Sequence, residues 1–105
     1  MYEILIDDIR NVEGVDIIFR TAESARNFLI EKEFKDQISV LYMDHDLGDD
    51  EDNGYKILSS ILEKNIKPKK VTLVTANPVG RKNMCSVLSF YDYKTKNNLV
   101  WYYNE

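Results

Sequence analysis

The chain has one cysteine, Cys85, so no internal disulfide can staple it, and a reducing cytosol suits it. No apolar run approaches the ~20 residues that a membrane-spanning helix needs. The N-terminus opens at once on a strand-like segment, so no signal peptide is expected. Positive charge is not in surplus either: 14 Lys and Arg stand against 18 Asp and Glu, a formal net charge of −4. Long-range steering onto a DNA duplex is therefore not built in. A bound metal can still reverse the sign locally for a nucleotide or an RNA end. Repeats and low-complexity linkers are missing too. What is left, 105 residues at 44% hydrophobic and 30% charged, reads as a single domain spanning 1–105 with one modest core.

Within it, Val40-Leu41-Tyr42-Met43-Asp44-His45-Asp46-Leu47-Gly48 stands out. Four apolar or aromatic residues run straight into two acids that flank the chain's only histidine. A short apolar run of this kind predicts a strand buried on both faces, as in a parallel sheet. The acids then fall at its C-terminal end, where open α/β sheets bind ligands. Carboxylates delivered there are costly unless a cation or hydrogen-bond donors meet them.

Taken in order, Tyr2 to Ile6 is a first strand ending in Asp7-Asp8, and Val15 to Phe19 is a second. The connection from Asp8 to Gly14 is too short for a crossover helix. The second strand is therefore either antiparallel or reached by an extended crossing. Thr21 caps a first helix over about Ala22 to Phe34. The key strand follows over about Ser39 to Asp44. Asn53 or Asp52 then caps a second helix with Ile57, Leu58, Ile61 and Leu62 inward, ended by Asn65, Lys67 and Pro68. Val71 to Thr75 is a further strand, and Asn77-Pro78 opens a third helix with Met84, Val87, Leu88 and Tyr91 as its stripe. Tyr93 to Asn98 reads as polar loop and Leu99 to Tyr103 as the last strand. Strands alternating with helices predict a small α/β fold with a mostly parallel sheet.

If the first and third strands are neighbours, Asp7, Asp8, Asp44 and Asp46 gather at one sheet edge. Packed carboxylates repel and raise one another's pKa, and a hard divalent cation such as Mg²⁺, Mn²⁺ or Ca²⁺ removes the conflict. The alternative is a set of loop acids that cap helices or face water. The acidic loop Gly48 to Asp52 reads as solvated, since its spacing is not that of an EF-hand. At Asn77-Pro78-Val79-Gly80-Arg81 the free N–H groups and dipole of a helix start can hold an anion, aided by Arg81 or Lys82. Gly80, without a side chain, would let a ligand approach the backbone. The same residues also make an ordinary cap. Imidazole titrates near neutrality, so His45 is either a proton carrier or a structural hydrogen-bonding residue. Cys85 reads as core, and Trp101-Tyr102-Tyr103 as packing rather than base-stacking residues.

Together these residues resemble a response-regulator receiver domain: an acid pair after the first strand (Asp7, Asp8), an aspartate ending the third (Asp44) and Thr75-Ala76 ending the fourth. The closer resemblance is to the cyclic-phosphate processing receiver domains, a receiver-like family of bacteria and phages. It is carried by Asp7-Asp8-Ile9-Arg10, Asp44-His45-Asp46-Leu47-Gly48, Asn53-Gly54-Tyr55 and Asn77-Pro78-Val79-Gly80-Arg81 with Met84. The resemblance implies a receiver-like, flavodoxin-like fold, here a mostly parallel five-stranded sheet with about three helices; the chain departs from receivers in that their first and last helices are reduced or absent. It implies Mg²⁺ or Mn²⁺ on Asp7, Asp8 and Asp44, with Asp46 giving a backbone carbonyl. Asn77, Gly80, Arg81 and Arg10 would then meet phosphate.

Two departures from the family pattern bear on activity. Val74 stands where the family has a histidine, and the last strand ends Tyr103-Asn104-Glu105 without the receiver lysine. Two functions follow. One is a metal-dependent phosphoesterase acting on a cyclic phosphate at an RNA end or in a cyclic nucleotide. In it Asp44, His45 and Thr75 are catalytic, and Asp44 serves as metal ligand or as nucleophile. The other is a non-catalytic module binding a phosphorylated or nucleotide ligand, or a protein partner. Either would work in a bacterial or phage-infected cytosol, without a membrane.

Overall fold

In the computed structural model, which describes residues 1–31, 34, 37–48 and 52–103, six strands form one sheet. These are β1 (Tyr2–Ile6), β2 (Ile17–Phe19), β3 (Ile38–Met43), β4 (Lys70–Leu73), β5 (Tyr93–Thr95) and β6 (Val100–Tyr103), in spatial order β2-β1-β3-β4-β6-β5. The pairs β1/β2, β1/β3 and β3/β4 are parallel, whereas β6 runs antiparallel to both β4 and β5. The described helices are α1 (Ala22–Arg26), α2 (Gly54–Glu63) and α3 (Pro78–Phe90). The fold is the mixed α/β, receiver-like one that the pattern implies.

Alternation along the strands separates the two sheet faces. Ile4, Ile6, Leu41, Met43, Val71, Leu73 and Trp101 form one core cluster with Ala25 and Leu29, with Ile57, Leu58 and Ile61 of α2, and with Met84 and Leu88 of α3. Of the residues between them Leu5 is fully buried, whereas Val40, Tyr42, Lys70, Thr72, Val100 and Tyr102 are half-buried or exposed on the opposite face, so β3 is buried on one face and not on both as its apolar run predicts. All the described helices therefore pack on one side.

The structure differs from the sequence reading at two further places and decides between the two courses left open for the second strand. The sheet has six strands rather than five, because Tyr93–Thr95 pairs with β6 where a polar loop is expected. Tyr93 turns inward and its hydroxyl donates to the Pro68 carbonyl at 2.6 Å. The hairpin turn is closed by side chains: Thr95 Oγ1 accepts from Asn98 N, and Asn97 Oδ1 accepts from Leu99 N and Val100 N. A loop so rich in polar residues is polar because those residues bond its backbone. The first helix is also shorter than expected and continues as a π-helical turn over Asn27–Glu31. The wider turn, with Phe34 N donating to Leu29 O at 3.1 Å, sets the Phe28 and Phe34 rings 4.9 Å apart. Finally, β2 is parallel to β1, so the chain crosses in extended form, turning at Gly14 where φ is +88°. The acidic residues 49–51 lie outside the described residues.

The start of α2 fixes the strand end that bears Asp44. Asn53 is its N-cap, accepting from Lys56 N at 3.0 Å, and Gly54 N donates to His45 O at 2.8 Å. A Cβ on Gly54 would lie 1.9 Å from the Asp44 carbonyl oxygen and 2.9 Å from His45 Cα, both backbone atoms that cannot turn aside. Gly54→Ala should therefore cost about 2–3 kcal/mol, the range for forced overpacking, and lower the melting temperature by roughly 10 °C or more. A thermal melt by circular dichroism checks this. A change within a degree or two would mean that the helix start is not pinned against the strand.

Candidate metal and phosphate site

Register alone brings the acids together. Ile6 of β1 lies beside Met43 of β3 in a parallel ladder, so the next residues, Asp7 and Asp44, come side by side. Asp44 N donates to Ile6 O at 3.0 Å, and Val74 N donates to Met43 O at 3.1 Å, which draws the end of β4 alongside. Asp7 is fully buried, Asp44 and Thr75 are each 7% exposed, and Asp8 is half-buried at the mouth. One carboxylate oxygen each from Asp7, Asp8 and Asp44 lies within 4.8 Å of the other two. Oxygens on opposite sides of a hard cation, at 2.0–2.6 Å from it, are about 4–5 Å apart, so the trio could hold Mg²⁺ or Mn²⁺ without rearrangement.

Arg10 supplies positive charge here. Asp7 Oδ1 accepts from Ile9 N and Arg10 N, and its Oδ2 accepts from the Arg10 guanidinium at 2.7 Å. The sequence reading gives Arg10 to phosphate; the structure sets it on Asp7 with its side chain still 42% exposed. Arg20, which the sequence reading passes over, holds this loop by donating to the backbone oxygens of Asp7 and Arg10 and to Asn11 Oδ1. Burial, and then the Asp7 charge, push the Asp44 carboxyl above the ordinary carboxylate range. The His45 backbone N–H, the Thr75 hydroxyl and Arg10 pull it partly back.

Beside the acids, a second group of side chains is organised around His45. Its Nδ1 lies 3.2 Å from Asp46 Oδ1 and 3.5 Å from Asn77 Nδ2. Asn77 Nδ2 also donates to Asp46 Oδ1 at 3.3 Å, while Asn77 Oδ1 caps α3 by accepting from Gly80 N at 3.0 Å. Asn77 N in turn donates to Thr75 Oγ1. The Asp46 side chain is thus directed to His45 and Asn77, not to the acid trio.

Gly80 also has a different neighbour from the one the sequence suggests. A Cβ there would stand 2.2 Å from His45 Cγ, so the space expected to admit a ligand is filled by the imidazole. Arg81 does not join the acids. With Pro78, Lys82, Cys85 and Asn98 it lines a hollow on the far flank of α3. Cys85 is half-buried there, its thiol donating to Asn98 O at 3.4 Å, and burial pushes the thiol pKa up. Trp101 is core, Tyr103 stacks near Tyr93 at 5.3 Å, and Tyr102 is exposed beside Lys70.

The direction of the Asp44 shift sets a stability test. A folded-state pKa above the unfolded value means that the native state holds the proton more tightly. The cost of ionised Asp44 is then absent below the ordinary value of 3.8, grows as pH rises through the raised value, and is complete above it. In EDTA at pH 7, Asp44→Asn should therefore melt above wild type. The gap should close as pH falls toward 4. Mg²⁺ or Mn²⁺ should raise the melting temperature of wild type and not of the variant. A variant less stable than wild type at pH 7 would make Asp44 a structural hydrogen-bond acceptor instead.

Comparison with known proteins adds one finding. No curated protein and no solved structure matches the chain. The family description of the cyclic-phosphate processing receiver domain matches residues 2–90, which carry the acid trio, His45 and the capped start of α3. The chain belongs to the cyclic-phosphate processing receiver domain family.

Proposed function

We propose that this protein is a divalent-metal-dependent phosphoesterase that opens a cyclic phosphate, at an RNA end or in a cyclic nucleotide. The observation that carries this reading is that one sheet edge, at the ends of β1 and β3, presents both the acid trio and a histidine oriented by its own carboxylate. Mg²⁺ or Mn²⁺ on Asp7, Asp8 and Asp44 would polarise the phosphoryl oxygens and offset their charge. Arg10, held on Asp7 with its guanidinium partly exposed, is placed to meet a non-bridging oxygen.

With Asp46 accepting from Nδ1–H, the Nε2 of His45 is left as the proton acceptor. There it takes a proton from the attacking water and returns it to the leaving ribose oxygen. One ring P–O bond breaks, one P–O bond to water forms, and the product is a phosphate monoester. Thr75, its oxygen already accepting from Asn77 N, keeps its O–H to donate toward Asp44 or a phosphoryl oxygen. The start of α3 adds its dipole. This chemistry suits a cytosolic protein, and no helix among the described residues is long and apolar enough to cross a membrane.

The second reading is a module that binds a phosphorylated ligand or a protein partner in the same cleft without turnover. Val74, in the place of the family's histidine, favours it.

A product assay on a panel of cyclic phosphates, with EDTA, Mg²⁺ or Mn²⁺, separates the two. Turnover should require the metal. His45→Ala should lower kcat by roughly 10²–10⁴-fold with substrate affinity little changed. Gly80→Ala should fall nearly as far while remaining folded, because the added Cβ drives the imidazole from its seat. Tight binding without product under either metal would end the enzyme reading and leave the module.

A further inference from the structure

We infer that the hollow between α2 and α3 is the subsite for the nucleobase of the ligand that carries the cyclic phosphate. The inference rests on the cyclic-phosphate reading above and names the rest of the molecule. Tyr55, Asn83, Ser86, Val87 and Phe90 line a hollow of about 270 Å³. Its rings are the unusual part, since Phe90 is 77% exposed and Tyr55 37%. Exposed apolar side chains gathered in one place mark a binding surface more than scattered ones do.

The position ties the hollow to the reacting end. Gly54 lies against the Asp44 and His45 backbone, and Tyr55 is the next residue. Gly80 lies under the His45 ring, and Asn83 follows three residues on, about 4.5 Å along the helix axis. The hollow therefore begins about one helical turn beyond the imidazole, at Asn83, and runs along α3 to Phe90, about 15 Å from Gly80, in the direction in which the sugar and base of a nucleotide would extend from a phosphate held at the acids.

The chemistry of the lining selects the occupant. No charged side chain lines it, so a second phosphate has no partner there. The opposite flank of α3, lined by Arg81 and Lys82, has the reverse character. The Asn83 carboxamide makes no hydrogen bond among the described residues. The Ser86 hydroxyl donates to Lys82 O and keeps its lone pairs free to accept. Aromatic faces beside a free amide and hydroxyl suit a flat heterocycle with polar edges. An amide pairs well with the adjacent donor and acceptor of adenine. A few side chains are also too few for a stable protein interface, which takes about 20–30 residues a side.

The test uses the His45→Ala protein with Mg²⁺, which keeps the acids and removes the proton carrier. Three probes are titrated by NMR: adenosine, methyl ribofuranoside 2′,3′-cyclic phosphate, and adenosine 2′,3′-cyclic phosphate. Adenosine should shift the amides of Asn83, Ser86 and Phe90. The nucleotide should bind about tenfold more tightly than the base-free cyclic phosphate, and Phe90→Ala should erase that gain without changing base-free affinity. Equal affinities, with no adenosine shift at Asn83, would overturn the subsite and leave the cyclic-phosphate reading intact. Adenosine shifts at the hollow with no gain from the cyclic phosphate would keep the subsite and end the phosphoesterase reading. A dimer broken by Phe90→Ala, without ligand effects, would make the face an interface between copies and also overturn the subsite.

Discussion

Two buried carboxylates held side by side are the constraint on which the rest of this molecule depends. The parallel register of β1 and β3 leaves Asp7 and Asp44 no room to separate. Their burial makes each charge more expensive than it would be in water. The local structure is arranged to offset this. Two backbone N–H groups and the Arg10 guanidinium converge on Asp7, and the His45 backbone N–H meets Asp44 at 2.8 Å. The loop supplying most of those donors has no helix of its own. Arg20 holds it open by bonding carbonyls on both sides of the Asp8-Ile9 segment. A receiver's first helix is given up here, and the extended crossing that replaces it delivers Arg10 to the acids.

The same strand end explains two of the three glycines in the family motifs. Gly54 admits the Asp44 carbonyl and Gly80 admits the His45 ring, so two helix starts close on Asp44-His45 from two sides. Each start is capped by an asparagine, worth about 1 kcal/mol relative to alanine. Asn77 does more than cap, because its amide nitrogen reaches Asp46 while its oxygen holds Gly80 N. The N-cap of α3, the general-base candidate and its orienting carboxylate are one connected unit, so disturbing the cap disturbs the imidazole.

Much of this was legible in the residues. A run such as Val40 to Met43 with acids at its end reads as a strand with a site at its edge, and the structure places the acids there, although it buries one face of the strand and not both. Thr21, Asn53 and Asn77 act as the caps that their positions suggest. What was not legible is what depends on three-dimensional neighbours. Gly80 signals close approach, but sequence does not say that a histidine 35 positions earlier is what approaches. Asp46 counts as one more acid until its oxygen is seen on His45 Nδ1. The orientation of β2 could not be read, since seven residues suit a hairpin or an extended crossing equally. The strand at Tyr93–Thr95 was hidden by its length and polar surroundings, although its inward Tyr and outward Lys do alternate.

The antiparallel course of β6 also changes what the absent lysine means. In a receiver the last strand runs parallel to its neighbours, so its C-terminal end reaches the acid edge. Here Tyr102 pairs with Lys70, at the start of β4, and Val100 with Thr72. The end of β6 therefore lies roughly a strand's length, ~13 Å, from the edge that carries Asp44. A lysine there would meet no phosphoryl group, so its absence argues neither for nor against chemistry. The residues that do face that edge from β6 are those at its beginning: Leu99 O accepts from Leu73 N, and Asn98 borders the start of α3. Neither carries a charge. Among the described residues near Asp44, positive charge comes instead from the β1 side, through Arg10, whose field at Asp44 already opposes that of Asp7. The positive charge that a receiver carries at the end of its last strand has its nearest counterpart here in the loop after its first.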